Sequence, residues 1–140
     1  MIKLFPLLGA ALLVVAPLRA ADPAPAAPAA ATAKAPQNVT PDQAEKIIKE
    51  DPKVVVLDVR TADEFQAGHI PGAKNIDFLG SDFEQQVAAL DKSKTYVVHC
   101  AAGGRSAKAC KVIEKLQFPS VYHLNEGFNG WQQAGKPVEK

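Results

Sequence analysis

Any chemistry in this chain turns on Cys100. It stands at the end of the apolar run Val97-Val98-His99, and Ala101-Ala102-Gly103-Gly104-Arg105-Ser106 follows it. A short glycine-rich loop between a strand and a helix turns its backbone N–H groups inward. The helix start adds further unpaired N–H groups and the positive end of its dipole. Such a cradle binds anions and favours a thiolate over a thiol. Arg105 adds a permanent charge with a planar fork of donors suited to an oxyanion. Gly103 and Gly104 permit positive φ, which a Cβ makes unfavourable. These residues describe a nucleophilic Cys100 facing an anionic substrate. Arg105, Ser106 and the loop residues Ala101, Ala102, Gly103 and Gly104 would form the binding surface.

The elements around this loop must place it. Thr40-Pro41-Asp42-Gln43 opens a helix, with Thr40 as N-cap, Pro41 in the first turn and Gln43 closing a capping box. Ala44, Ile47 and Ile48 form its apolar face, Asp51-Pro52 ends it, and Val39 belongs to a short strand before it. Lys53 to Arg60 is a β-branched run of the kind expected for a strand covered on both faces. Lys74-Asn75-Ile76 and Lys94 to His99 are further strands, the latter delivering Cys100 at its carboxyl end. Between them, Ser81 and Asp82 cap a helix with the stripe Phe83, Val87, Leu90. Ser106 to Gln117 is the helix after the loop, with Ser106 as its expected N-cap, and Val121 to Leu124 is the last strand. Strands alternating with helices imply an α/β fold: a mostly parallel central sheet with helices on both faces. Ligands of such sheets bind beyond the carboxyl ends of the strands, where Cys100 falls.

Three stretches carry a family resemblance. Cys100-x-x-Gly103-x-Arg105-Ser106 resembles the active-site loop of rhodanese-like domains, the thiosulfate sulfurtransferases. Asp58-Val59-Arg60, then Glu64-Phe65, then Gly68-His69-Ile70-Pro71-Gly72-Ala73 is similar to a second signature of the same domains. Their usual ending is a strand, a glycine pair and a helix bearing Trp before Gly-x-Pro. It is matched by Leu124 to Pro137, except that Glu126 replaces the first glycine. The resemblance covers residues 38–140. It implies a single rhodanese-like domain in which Cys100 carries sulfur as a persulfide and Arg105 holds the sulfonate end of thiosulfate, with no cofactor. The implied partners are a small anionic sulfur donor, a thiol or cyanide acceptor, and a possible protein donor or acceptor.

Other charged and polar residues read as structural support. Asp58, at the end of a buried strand, is expected to be a carboxylate satisfied by Arg60 or by turn N–H groups rather than a general base. Arg60 is expected to pair with Glu64. His69, in a tight turn, stays outside the catalytic set. His99 and His123 lie on strands without further ligands at metal spacing, so no metal is expected. Trp131 reads as core. Cys110 lies within the helix after the loop, more than a turn from Cys100. It reads as a small buried hydrophobe, leaving Cys100 free.

The chain has 140 residues, room for one domain. Met1-Ile2-Lys3, the apolar run Leu4–Val15 and the exit Ala16 to Ala20 describe a secretory signal peptide, residues 1–20, pointing to export and a periplasmic location. An uncleaved membrane tether is the competing reading. Residues 21–37, nearly all Ala and Pro, read as an extended linker, and 38–140 as the folded domain. Removing residues 1–20 takes away Lys3 and Arg19 and no acid, leaving 14 basic against 15 acidic residues, net −1. That near-neutral balance, with 6% aromatics, argues against nucleic-acid binding. Two other functions stay open. A sulfur relay or binding module would lack thiosulfate turnover. A cysteine-dependent phosphatase or arsenate reductase would use a Cys-x₅-Arg loop, one residue longer than the spacing here.

Overall fold

The computed structural model describes residues 33–140. The expected leader and most of the Ala/Pro linker lie outside the described residues. The described part runs β1 (Gln37–Val39), α1 (Pro41–Glu50), β2 (Val55–Asp58), α2 (Ala62–Ala67), β3 (Lys74–Asn75), α3 (Phe83–Ala88), β4 (Tyr96–His99), α4 (Gly104–Lys115), β5 (Val121–Leu124) and α5 (Gly127–Gln133). The strands form one sheet in the order β1-β5-β4-β2-β3, every pairing parallel.

Side chains alternate across this sheet and build a core on each face. Leu57, Val59 and Val98 face α3 and α4, packing with Phe83, Val87, Ala109 and Ile113. Val56, Val97 and Leu124 face the other way, against Ala44, Phe128 and Trp131 of α1 and α5. Each fully buried aliphatic side chain contributes about 1.5–3 kcal/mol, so double-sided burial outweighs the weak pairing of such short strands. The β-branched run of β2 and the buried β4 (Tyr96 to His99) are what a sheet covered on both faces requires.

Helix α1 forms as its sequence predicts. The Thr40 hydroxyl accepts from the Gln43 N–H, and the Gln43 side chain accepts from the Thr40 N–H, completing the capping box. Helix α3 keeps its stripe, with Phe83 and Val87 buried, but Asp82 sits at its start without capping the backbone. Helix α2 has no counterpart among the sequence expectations. It is six residues long with no buried side chain, so it shows no apolar period. Its signal was Thr61-Ala62-Asp63-Glu64, a second capping box, in which Thr61 and Glu64 bond one another reciprocally.

The chain leaves β2 towards β3 on one side and leaves β4 towards β5 on the other. The connections diverge between β2 and β4, and a crevice opens there at the carboxyl ends of the strands. Helix α2 follows β2 and helix α4 follows β4, so both begin at its mouth.

Candidate active site

Cys100 leaves the end of β4 at this crevice and is buried, with only 2% of its surface exposed. The Gly103 N–H donates to its Sγ at 3.1 Å, and the Ser106 hydroxyl lies 3.4 Å from the same sulfur. Burial is the largest single influence on the thiol and acts to keep it protonated. The hydrogen bonds from the Ser106 hydroxyl and from the N–H groups of Ser106, Gly103 and Ala102 together outweigh it, and the thiol is lowered below its ordinary value. Ala101, Ala102, Gly103 and Gly104 thus form the loop around the sulfur that their spacing implied.

The loop is held from outside by α5. The Phe128 N–H donates to the Cys100 carbonyl at 2.7 Å and the Asn129 N–H to the Ala101 carbonyl at 3.0 Å. With both carbonyls drawn towards α5, the following N–H groups are left to face the sulfur. Two glycines make this approach possible. Gly103 has φ +100°, and a Cβ there would run into the Asn125 carbonyl. Gly127 has φ +63°, and a Cβ there would meet the carbonyls of Cys100 and Ala101. Gly104 differs from expectation: it starts α4 without positive φ and faces open space, so the loop requires only one of its two glycines. At Glu126 the backbone is right-handed, φ −79° and ψ −10°, which any residue adopts. The missing first glycine of the pair is therefore without consequence for the turn.

Ser106 is not the N-cap of its helix. Gly103 holds that place and α4 begins at Gly104, so Ser106 is the third helical residue, fully buried. From there its hydroxyl turns inward, 3.1 Å from the Gly103 carbonyl and 2.7 Å from Nε2 of His123 on β5.

Arg105 reaches across the crevice to α2. Its Nη1 and Nη2 donate to Oε2 and Oε1 of Glu64 at 2.7 and 2.9 Å, a bidentate pair. The Arg105 hydrogen bonds hold the Glu64 carboxyl down to about 2. The expected pair of Arg60 with Glu64 is thereby corrected. Arg60 instead donates from Nε and Nη2 to Asp58 Oδ2 at 3.0 and 2.7 Å, with Nη2 also reaching the Gly68 carbonyl at 2.7 Å. Arg60 precedes the helix that carries Glu64, so it lies on β2's side of the turn and pairs with the strand it has just left. Asp58 is satisfied by Arg60, as expected, and the Arg60 guanidinium stacks over Phe128 at 4.1 Å. This buried cluster braces the site from below without reaching Sγ.

The remaining polar residues take structural places. His69 Nδ1 bonds the Phe65 carbonyl at 2.9 Å, and its ring stacks on Phe65. Trp131 is buried and donates to the Pro137 carbonyl at 2.7 Å. Cys110 is a buried free thiol, pushed up to about 12 by desolvation, and Cys100 is also free.

Glu64 and His123 are the two residues at this site whose place the sequence did not reveal. Nothing local links Glu64 to Arg105, 41 positions away, and His123 approaches the site only because β5 lies beside β4.

Comparison with known proteins follows the same lines. The rhodanese-like domain family model matches residues 40–134. The chain is 33% identical over 93 residues to the chloroplastic thiosulfate sulfurtransferase 16 of Arabidopsis thaliana, covering 59% of this chain and 78% of that protein. It is 34% identical over 99 residues to the thiosulfate sulfurtransferase GlpE of Pseudomonas aeruginosa (strain LESB58), covering 70% and 86%. The crystal structure of a rhodanese-related protein from Thermoplasma volcanium matches with a TM-score of 0.65 at 30% identity, covering 74% of this chain and 97% of that one. The family match takes in every element from α1 to α5, and the chain belongs to the rhodanese-like domain family.

Proposed function

We propose that the protein is a sulfurtransferase that moves sulfane sulfur from thiosulfate, or a similar small donor, to a thiophilic acceptor through a persulfide on Cys100. The observation that carries this reading is the environment of Sγ. A buried sulfur accepts a loop N–H and a hydroxyl at a helix start, with a guanidinium at the mouth. Because Cys100 is almost wholly enclosed, the donor must present sulfur at the tip of a slim molecule.

In the first half-reaction the Cys100 thiolate attacks the outer sulfur of thiosulfate. The new bond is Sγ–S, the S–S bond of thiosulfate breaks, and its electron pair leaves on sulfite. Arg105 stabilises the departing anionic oxygens, and the loop N–H groups stabilise charge on sulfur. In the second half-reaction cyanide or a thiolate attacks the terminal sulfur, and the Cys100 thiolate returns. No redox cofactor enters this balance. If residues 1–20 are removed on export from a two-membrane bacterium, the reaction takes place in the periplasm. The mass of the purified exported chain would test that cleavage.

The test is thiocyanate formation from thiosulfate and cyanide, measured for wild type, Cys100→Ala and Arg105→Ala. Complete loss in Cys100→Ala and a raised thiosulfate KM in Arg105→Ala are expected. Activity that survives Cys100→Ala would overturn the reading. An inactive wild type would point instead to relay of sulfur from a protein donor.

A further inference from the structure

Behind Cys100 a chain of hydrogen bonds leads away from the sulfur through three other elements. The Ser106 hydroxyl of α4 lies 3.4 Å from Sγ, Nε2 of His123 on β5 lies 2.7 Å from that hydroxyl, and Nδ1 of His123 lies 2.9 Å from Oδ1 of Asn38 on β1. Ser106 and His123 are both buried, while Asn38 is exposed. Asn38 and His123 are register partners of the β1–β5 pair, which brings their side chains together on one face.

An amide oxygen only accepts, so Nδ1 of His123 carries a proton and a neutral ring offers a lone pair at Nε2. That lone pair takes the single proton of the Ser106 hydroxyl. The serine oxygen then turns lone pairs towards Sγ and suits a thiol there. A thiolate needs the opposite arrangement, with the hydroxyl proton aimed at sulfur. The hydroxyl proton is released from the ring when Nε2 donates to it, which requires a proton on both ring nitrogens, and Sγ then competes for it only with the more weakly placed Gly103 carbonyl at 3.1 Å. Within this geometry the thiolate and the imidazolium arise together.

We propose that Ser106, His123 and Asn38 form a proton relay that generates the Cys100 thiolate. The Cys100 S–H bond breaks with its electron pair left on sulfur, and the proton passes to Ser106 Oγ. The proton already on Oγ passes to His123 Nε2. One proton has then moved from sulfur to nitrogen, nothing is oxidised or reduced, and the charge on the ring is held by the Asn38 oxygen. His123 and Asn38 touch neither substrate nor sulfur and are positioning residues, acting through Ser106.

The surroundings suit this role. The titratable groups around the ring are Cys100 at the end of β4 and Cys110, Lys111 and Glu114 of α4, the last three lining an open cleft with Asn38 and His123. Cys110 stays a neutral thiol, and Lys111 and Glu114 bring opposite charges at exposed positions. The cleft gives the ring a route for exchanging its proton with water. Burial lowers the imidazole below its ordinary value, against a backbone contact with Gly103 that raises it, so at neutral pH the ring rests neutral with its Nε2 lone pair open.

The relay rests on Cys100 being the nucleophile, as proposed above, and its test does not depend on turnover. The rate of Cys100 alkylation by iodoacetamide on the full chain, read by mass spectrometry as a function of pH, reports the thiolate directly. In His123→Gln, which can bond Ser106 but cannot take up a proton, and in Ser106→Ala, the half-rise of that rate should move up by about one pH unit or more. The double variant should move no further than the larger single change. Linkage requires the reverse effect as well: in Cys100→Ala the NMR titration of the His123 ring should fall by a matching amount, a measurement that leaves the relay residues unaltered. A wild-type profile in folded His123→Gln, or a His123 titration indifferent to Cys100→Ala, would overturn the relay while leaving sulfur transfer intact. A Cys100 that alkylates at no pH would overturn both.

Discussion

Glu64 and Arg105 face each other across the crevice and bond through two parallel contacts of 2.7 and 2.9 Å, although 41 positions separate them. The residue proposed to receive the anionic end of the donor is therefore already oriented before any donor arrives. Its two terminal nitrogens each retain a second N–H for the anion. Glu64 does a second job, since its carboxylate also accepts from the Thr61 N–H and hydroxyl at the start of α2.

The two jobs separate in Glu64→Gln and Glu64→Ala. Gln preserves the capping box and abolishes the ion pair, whereas Ala loses both. Both variants should raise the thiosulfate KM about three- to tenfold, a modest effect because the pair is partly exposed. Only Glu64→Ala should also lower the melting temperature. Equal KM values in all three proteins would show that Arg105 needs no orientation.

The same pair sets a pH dependence. The Glu64 carboxyl lies at about 2 in the folded protein against 4.5 ordinarily, mainly through its hydrogen bonds from Arg105. A lowered carboxylate stabilises the fold above its unfolded value and loses that contribution as pH falls through the folded one. Wild type should therefore lose more stability than Glu64→Gln between pH 4.5 and about 2. Parallel curves in chemical denaturation across that window would contradict the assignment.

Glycine substitutions should divide sharply within a few residues. Gly103→Ala and Gly127→Ala place a Cβ in a left-handed backbone against loop carbonyls, and both should lose most activity along with stability. Gly104→Ala meets nothing and puts a better helix former in the first turn of α4. A gain of about 0.5 kcal/mol or a neutral result is expected there by chemical denaturation, with activity kept. A strongly destabilised Gly104→Ala would mean that the loop conformation differs from the one described.

Asp58→Asn should be costly for a different reason. It leaves the Arg60 charge buried without its counter-ion, and loss of one partner of a buried pair destabilises by about 3 kcal/mol or more. Because Asp58 does not reach Sγ, the folded fraction should keep its kcat within a few-fold. Urea titration and kinetics on the same sample separate the two effects. A large loss of kcat in a fully folded Asp58→Asn protein would give Asp58 a chemical role.

The two thiols should also part company. Cys110, pushed up to about 12, should resist iodoacetamide at neutral pH, and Cys110→Ala should retain sulfur transfer. Modification of Cys110 at a rate comparable with Cys100 would show that the helix opens at this position.

Much of this was legible in the residues because short-range physics decided it. The capping box of Thr40 and Gln43, the double-sided strands and the cradle after β4 each depend on neighbours in sequence, and each formed where its signal lay. What could not be read depends on the conformation of single turns and on how strands are ordered. Arg60 and Glu64 stand four apart and looked like partners, but the turn between β2 and α2 sends their side chains to different neighbours. Ser106 looked like an N-cap because serine commonly is one, whereas Gly103 with its left-handed backbone started the helix earlier and turned the hydroxyl inward. His123 and Asn38 are 85 positions apart and meet only because β1 pairs with β5.

Helix α5 gives no side chain to the sulfur, yet the N–H groups of Phe128 and Asn129 hold the carbonyls of Cys100 and Ala101. On a growing chain these two residues are made almost thirty positions after the cysteine they serve. The contacts to Sγ come from Gly103 and Ser106, close by in sequence, but the backbone that aims them is fastened only from this later segment. The same helix that closes one core with Phe128 and Trp131 therefore also fixes the loop, so completing the fold and completing the site are a single event.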